Sequence, residues 1–356
     1  MIIGVPRETK EGERRVALLP AAVEEIVAAG HDVQVETHAG TGIGVEDVAY
    51  RDAGATVVTA RDAWDADFVV KVKEMQPGDF SRAPRGATVF SYHHLTGAPQ
   101  RTRGLAERGM TAIAWELMRD AQGRFPLLAP MSRIAGRMAP DIARQVLGRA
   151  PAEVLVLGAG EASLAAARAA AAHGSRVTVL ARSERSRDVA RSAGFATDTA
   201  TPEVIERHAL GADAVFAAVF EPGKPTPKLL PRSLVRRMKR GALIVDISIE
   251  EGGVAETSRR TTHAEPTYVE EGVMHYCVGN MPAARPQEAS AALSDAALPF
   301  VLDLARMGVG PALAGIAELR SGLLVWQGRV VDRAVAEEAG LPWAAPSESE
   351  LAEDAA

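Results

Sequence analysis

Val154-Leu155-Val156-Leu157-Gly158-Ala159-Gly160-Glu161-Ala162-Ser163 sits in the middle of the chain, and its reading decides the fold. Four apolar residues suited to a buried strand feed two glycines. An Ala-rich stretch follows at 164–173 and ends at Gly174, before a second apolar run at 176–180. Strand, glycine turn and helix in that order form a dinucleotide-binding crease. Gly158 permits the tight turn, Gly160 lets the backbone approach a pyrophosphate, and the positive end of the helix faces that phosphate. Ser163 replaces the usual third glycine and is small enough to keep helix and strand close. Gly158, Gly160, Glu161 and Ala162 are therefore candidate cofactor contacts.

Immediately beyond the second strand the chain reads Ala181-Arg182-Ser183-Glu184-Arg185-Ser186-Arg187. A crease that prefers NAD(H) carries a carboxylate there, bonded to the ribose hydroxyls. Ala181 has none, and three arginines follow, which suits a 2′-phosphate and favours NADP(H) over NAD(H). The rival reading is a solvated turn with Glu184 on the ribose. Ala181, Arg182, Ser183 and Arg185 are the candidate contacts.

Farther out, strand-like runs at 2–5, 33–36, 56–58, 68–72, 88–92 and 111–115 alternate with helical stretches at 20–29, 45–53 and 99–108. That alternation predicts a parallel sheet with helices on both faces. A second series starts at Val154 and continues through 213–219, 242–248 and 275–278. The expected fold is α/β, with two doubly wound Rossmann-like domains. Helical stretches at 131–147 and 288–307 lead into and out of the second series. The cofactor domain, 131–286, is therefore expected to be inserted in a discontinuous catalytic domain made of 1–130 and 287–356.

At 356 residues the chain is long enough for two cores, and 47% hydrophobic with 24% charged residues is a globular composition. A formal charge of −6 argues against nucleic acid as a partner. No apolar run approaches the length that spans a bilayer, so no membrane partner is expected. The single Cys277 rules out an internal disulfide, and with no signal-peptide layout at the start, cytoplasm is the expected location. The eight histidines show no paired spacing with an acid on one helix face, so no metal is expected. His275 reads as core packing.

Arg15 follows a turn, Lys73 ends the 68–72 strand, and His93-His94 ends the 88–92 strand. Carboxyl ends of parallel strands are where ligands bind in such sheets, so these groups suit a carboxylate and a proton transfer. Surface ion pairs and structural histidines are the competing account.

Several motifs stand in order along nearly the whole chain: Gly4-Val5-Pro6-Arg7-Glu8-Thr9-Lys10 through Arg15-Val16-Ala17-Leu18-Leu19-Pro20, then Val70-Lys71-Val72-Lys73-Glu74, His94-Leu95, Leu127-Leu128-Ala129-Pro130-Met131-Ser132, Met238-Lys239 through Val245-Asp246-Ile247, and Tyr276-Cys277-Val278-Gly279-Asn280-Met281-Pro282. Together they resemble the alanine dehydrogenase family, which shares an ancestor with the transhydrogenase alpha subunit. The resemblance implies an enzyme that joins ammonia to a 2-oxo acid and reduces the imine with a nicotinamide hydride, or the reverse. It further implies a homo-oligomer with its substrate held between the domains. By that resemblance Arg15 and Lys73 hold the substrate carboxylate and carbonyl oxygen, and His94 is the acid/base. Asn280 and Met281 border nicotinamide and substrate, while Ser132, Val219 and Val278 join the crease on the cofactor.

Four departures stand out. Glu250 replaces the family's Asp, which by the resemblance contacts substrate and helps stabilise the charged imine path, and it keeps that catalytic charge one methylene farther out. Arg133 stands where an acid is common, and suits either a second negative group on the substrate or the cofactor phosphates. The family's Gly-rich stretch before the crease is missing, residues 146–153 running almost directly into the strand, which bears on assembly. His93 replaces an apolar neighbour of His94 and predicts a more polar pocket. The proline-rich run 221–228 reads as a rigid loop over the cofactor or as a plain connector. Two rival functions remain: a relative retuned to another amino acid or imine in secondary metabolism, and a non-catalytic nucleotide-binding protein.

Overall fold

The computed structural model describes residues 1–220 and 225–353. The chain forms two compact units: Met1–Pro130 together with the chain from Arg285 onward, and Met131–Ala284.

In the first unit β1 (Ile2–Val5), β2 (Asp32–Glu36), β3 (Thr56–Val58), β4 (Phe68–Val70), β5 (Thr88–Ser91) and β6 (Thr111–Ala114) are parallel neighbours. The second unit holds β7 (Glu153–Leu157), β8 (Arg176–Ala181), β9 (Ala196–Thr199), β10 (Ala214–Ala217) and β11 (Leu243–Asp246), with the antiparallel pair β12 (Thr267–Glu270) and β13 (Val273–Tyr276) at one edge. The chain then returns to the first sheet as β14 (Leu323–Trp326), antiparallel to β6, and β15 (Arg329–Val330).

The sheet orders are β15-β14-β6-β5-β4-β1-β2-β3 and β12-β13-β11-β10-β7-β8-β9. Both are doubly wound. The winding reverses between β1 and β4 in one and between β7 and β10 in the other, and ligands bind beyond the carboxyl ends of strands at such points. Strands such as β5, β6, β10 and β11 are buried along their whole length, as expected where helices cover both faces. Phe68–Val72 and Thr88–Tyr92 read as strands slightly longer than β4 and β5, because both chains leave the sheet while still paired: Tyr92 N–H donates to Val72 O.

Close helix contacts tie each fold together. In the first unit Ser290 and Ser294 of the helix Pro286–Met307 accept the N–H groups of Val16 and Leu19 at 3.0 and 2.9 Å, fixing the segment that follows Arg15. In the second, the helix Leu128–Leu147 passes so close to the helix Glu161–Ala172 that a Cβ on Gly136 would lie 2.1 Å from Ala162 O. Only glycine allows that approach. No single helix among the described residues is long and apolar enough to cross a membrane.

Candidate active site

Beyond the carboxyl ends of β1, β4 and β5 the first unit gathers a dense set of charges. Arg15 is 2% exposed, and its guanidinium meets the Glu13 carboxylate through Nε at 2.7 Å and Nη2 at 2.6 Å. Burial alone would raise the Glu13 carboxyl, but the two-pronged contact with Arg15 outweighs it and holds the group down at about 2. The Glu8 carboxylate takes the N–H groups of Val72 and Lys73, and Lys71 Nζ lies between Glu8 and Asp79 at 3.3 and 3.2 Å. Burial opposes the Lys71 charge, yet those two carboxylates hold the ammonium above the usual lysine range. Lys71 Nζ also donates to Lys73 O at 2.8 Å. Glu74 is held at about 2 against its own burial by Lys73 and Lys10.

Tyr92 is where these segments meet. Its hydroxyl donates to Leu127 O at 2.6 Å, the Lys73 ammonium lies 5.9 Å from its ring centre, and the His94 imidazole stacks on it at 5.8 Å and 13°. The hydroxyl is driven up by burial and drawn back by nearby Arg15. Lys73 and His94, from two separate loops, thus border one aromatic residue, and the charge of Arg15 acts on its hydroxyl. Lys73 is 3% exposed, whereas His94 is open to solvent.

His93 corrects the expectation of a more polar pocket. Successive residues leaving a strand point to opposite sides, and the His93 ring turns inward, fully buried, with Nε2 3.1 Å from Val89 O. Burial pushes it down to about 4, so it is a neutral core group at neutral pH.

In the second unit the crease has the shape a dinucleotide needs. Gly158 sits at φ 101°, and a Cβ there would lie 2.4 Å from Ala218 O. Around Gly160 there is open space, so the backbone is bare where a phosphate would approach the helix. Ser163 Oγ donates to Ala218 O at 3.0 Å, and Ser248 Oγ accepts Val219 N–H at 2.8 Å. Ser132 is half-buried, and Val278 is buried at the exit of β13. Arg133 reaches the crease itself, pairing with Glu161 at 3.0 Å. It offsets a negative charge in the helix's first turn.

At the end of β8 the three arginines separate. Arg187 turns back on its own turn, donating to Ala181 O at 3.2 Å and Arg182 O at 2.9 Å and pairing with Glu184. Of the arginine trio it is therefore a structural brace. Glu184 also faces Arg191 at 3.4 Å, which draws its carboxylate onto its own helix. Ser183 caps that helix by accepting Ser186 N–H at 3.1 Å, and Arg182 and Arg185 stay exposed beside buried Ala181.

The loop after β11 is anchored by Asp246, whose carboxylate accepts Val254 N–H at 2.7 Å and Ser258 Oγ–H at 2.6 Å. It presents Glu250, which pairs with Arg260 at 3.2 Å. Arg260 lies flat on the Gly279 backbone, where a Cβ would meet its Nη2 at 2.6 Å. Neighbouring Glu251 is pushed up to about 7 by burial and by the Glu250 charge. Asn280 takes the left-handed conformation, φ 53°, and Met281 is buried. His275 packs in the core as its spacing suggests, with Nε2 2.7 Å from Thr257 Oγ1. Residues 221–224 of the proline-rich run lie outside the described residues; beyond them Thr226 N–H donates to Glu251 O. Among the described residues, no group of three His, Cys, Asp or Glu side chains is placed to hold a metal ion.

Comparison with known proteins matches residues 4–135 to the alanine dehydrogenase/PNT N-terminal domain and residues 134–333 to the C-terminal domain of the same family. The chain belongs to the alanine dehydrogenase/PNT family. It is 41% identical to an alanine dehydrogenase of Halomonas elongata over 96% of this chain and 98% of that one. With the alanine dehydrogenase of Mycobacterium tuberculosis it shares 39% identity over 98% and 99%. A solved L-alanine dehydrogenase superposes with a TM-score of 0.90 at 38% identity, covering 95% of this chain and 98% of that chain. A transhydrogenase from Sinorhizobium meliloti gives 0.83 at 26%, covering 94% and 100%.

For this family member, sequence reasoning named Arg15, Lys73 and His94 but missed Glu13 beside Arg15, the Lys71 pair with Glu8 and Asp79, Glu116, which accepts the His94 N–H, and Arg260. Glu13 and Arg15, and Lys71 and Lys73, stand two residues apart in the chain, a spacing that brings side chains to one side wherever the backbone is extended. That signal was available. The Arg260 contact with Glu250 joins two loops and had none.

Proposed function

We propose that the protein is a nicotinamide-dependent amino-acid dehydrogenase, joining ammonia to a 2-oxo acid and reducing the imine, or running the reverse. The observation that carries this reading is that Lys73 and His94 border Tyr92, with the charge of buried Arg15 acting on its hydroxyl. The Met1–Pro130 unit, with its C-terminal return, is read as the catalytic domain and the Met131–Ala284 unit as the cofactor domain.

Each group has chemistry that fits its role. The Arg15 guanidinium, pre-set by Glu13, binds the substrate carboxylate. The Lys73 ammonium polarises the carbonyl oxygen at C2. His94 hands a proton to the hydroxyl that leaves as the imine forms, and takes one back in the reverse direction. When bound, the reduced nicotinamide supplies the hydride. The residues around the crease fit such a cofactor: Gly158, Gly160, Glu161 and Ala162 form its phosphate turn, with Ser132, Val219 and Val278 beside it. Glu250, Asn280 and Met281 carry the roles that family resemblance gives them.

NADP(H) is the proposed cofactor. Arg182 and Arg185 stand in solvent beside Ala181, while Glu184 is drawn away by Arg187 and Arg191. That leaves Ala181 flanked by two exposed cations, which suit a 2′-phosphate. The protein is also proposed to work as a homo-oligomer, as the resemblance implies, with mass measurement in solution as the check, and in the cytoplasm, as its single Cys277 suggests.

A second reading concerns the substrate side chain. The Arg260 partner of Glu250 favours an oxo acid other than pyruvate, since a carboxylate held one methylene farther out serves a different substrate. A panel of 2-oxo acids with ammonium, run on the parent and on Glu250→Asp, tests it. The expected result is a shift of Glu250→Asp toward pyruvate, and an identical ranking would remove this second reading.

A further inference from the structure

His94 takes the left-handed conformation, φ 44°, which few residues other than glycine adopt, histidine more often than most. All four backbone polar groups of His93 and His94 are bonded to charged side chains. The Glu116 carboxylate accepts the His93 N–H at 3.1 and 3.2 Å and the His94 N–H at 2.7 Å. Arg101 Nη1 donates to the carbonyls of His93 at 3.3 Å and His94 at 3.0 Å. Glu116 follows β6 and Arg101 stands on the helix Pro99–Glu107, so two distant elements each commit a charge to one dipeptide.

We propose that Glu116 and Arg101 are positioning residues that hold the His94 imidazole against Tyr92 for proton transfer. The inference rests on the reading of His94 as the acid/base group. Turning His94 back to an ordinary strand conformation rotates its peptide groups, so it breaks the bonds to both charges and swings the ring off Tyr92. The inward His93 ring, held by Val89 O, pins the dipeptide from the core side. Arg101 reaches the second cation's segment as well, with Nε 3.2 Å from Met75 O and Nη2 3.8 Å from Glu74. One guanidinium therefore ties the backbone of His94 to the residue after Lys73.

The test compares Glu116→Ala, Glu116→Gln, Arg101→Met and His94→Ala in the full chain, reading kcat, KM for the oxo acid and Kd for NADPH. Glu116→Ala is expected to lower kcat by about 100-fold, the size of effect for a catalytic group displaced by about 1 Å, with Kd for NADPH unchanged. Glu116→Gln drops the charge but keeps an acceptor oxygen, so it recovers most of that loss. Equal damage in Ala and Gln would make the charge, not the position, the cause and would overturn the inference, as would a normal kcat in Glu116→Ala. If Glu116→Ala fails to fold, Arg101→Met decides: a kcat loss with unchanged Kd supports the inference and an unchanged kcat ends it. The two readings fail separately. A His94→Ala protein with full turnover removes the acid/base reading itself, whereas an inactive His94→Ala beside an active Glu116→Ala removes only the positioning.

Discussion

Arg15, Lys71 and Lys73 of the first unit lie almost wholly out of water, matched by Glu8, Glu13, Asp79 and Glu74, whereas the second unit offers bare backbone at Gly160 and arginines in solvent at 182 and 185. The contrast fits what each unit is proposed to hold. A small carboxylate and a carbonyl give little surface to grip, so their cations gain strength from low dielectric and fixed partners, which act without reorganising during reaction. A dinucleotide brings its own charge and area, so a glycine turn, a helix end and a few exposed cations would suffice.

The two regions also respond to pH in opposite senses. Glu13 has a folded value of about 2, below its ordinary 4.5, so its contribution to stability is complete above 4.5 and is lost as pH falls through about 2. Glu251 is raised to about 7 from 4.5; its contribution is complete below 4.5 and is lost as pH rises through about 7.

The largest expected effect is on the buried pair. Arg15→Met leaves Glu13 buried without its guanidinium, and removing one partner of such a pair costs about 3–5 kcal/mol, read as a lower denaturant midpoint together with a higher KM for the oxo acid. A midpoint equal to the parent's would mean that Arg15 is not bound as tightly as its geometry indicates. Next comes His94→Ala, expected to lower turnover by about 100-fold while NADPH binding is kept; unchanged turnover would move the acid/base role elsewhere.

In the second unit, Arg182→Ala with Arg185→Ala should remove most of the NADPH preference, since each charge-assisted contact is worth about 1.5–3 kcal/mol. Equal dissociation constants for NADPH and NADH in the parent protein would refute the phosphate reading outright. The smallest effect belongs to Glu251→Gln. Stability of the parent should decline between pH 4.5 and about 7 relative to this variant, and parallel pH curves would show that Glu251 is not held protonated.

Much of this organisation was legible in the chain. The run from Val154 to Ser163 announced its strand, turn and helix because apolar periodicity and glycine placement are local signals, and both doubly wound sheets followed from strand alternation. Arg15, Lys73 and His94 were named because they stand at strand ends. What was not legible is long-range: Lys71 and Asp79 share a buried pair, Arg260 lies on Gly279, and Glu116 reaches back to the two histidines. The inward turn of His93 and the bracing by Arg187 were missed for a related reason. Charge composition says which groups are present, but backbone path decides whether each faces solvent, a carbonyl or a ligand.

The account is tested most directly by steady-state amination with the full chain, following loss of reduced nicotinamide in the presence of ammonium and 2-oxo acids, with NADPH and NADH compared. It predicts oxidation that requires both oxo acid and ammonium and runs at higher kcat/KM with NADPH. Tight NADPH binding with no turnover on any oxo acid would contradict it and leave a nucleotide-binding protein that has kept the fold without the chemistry.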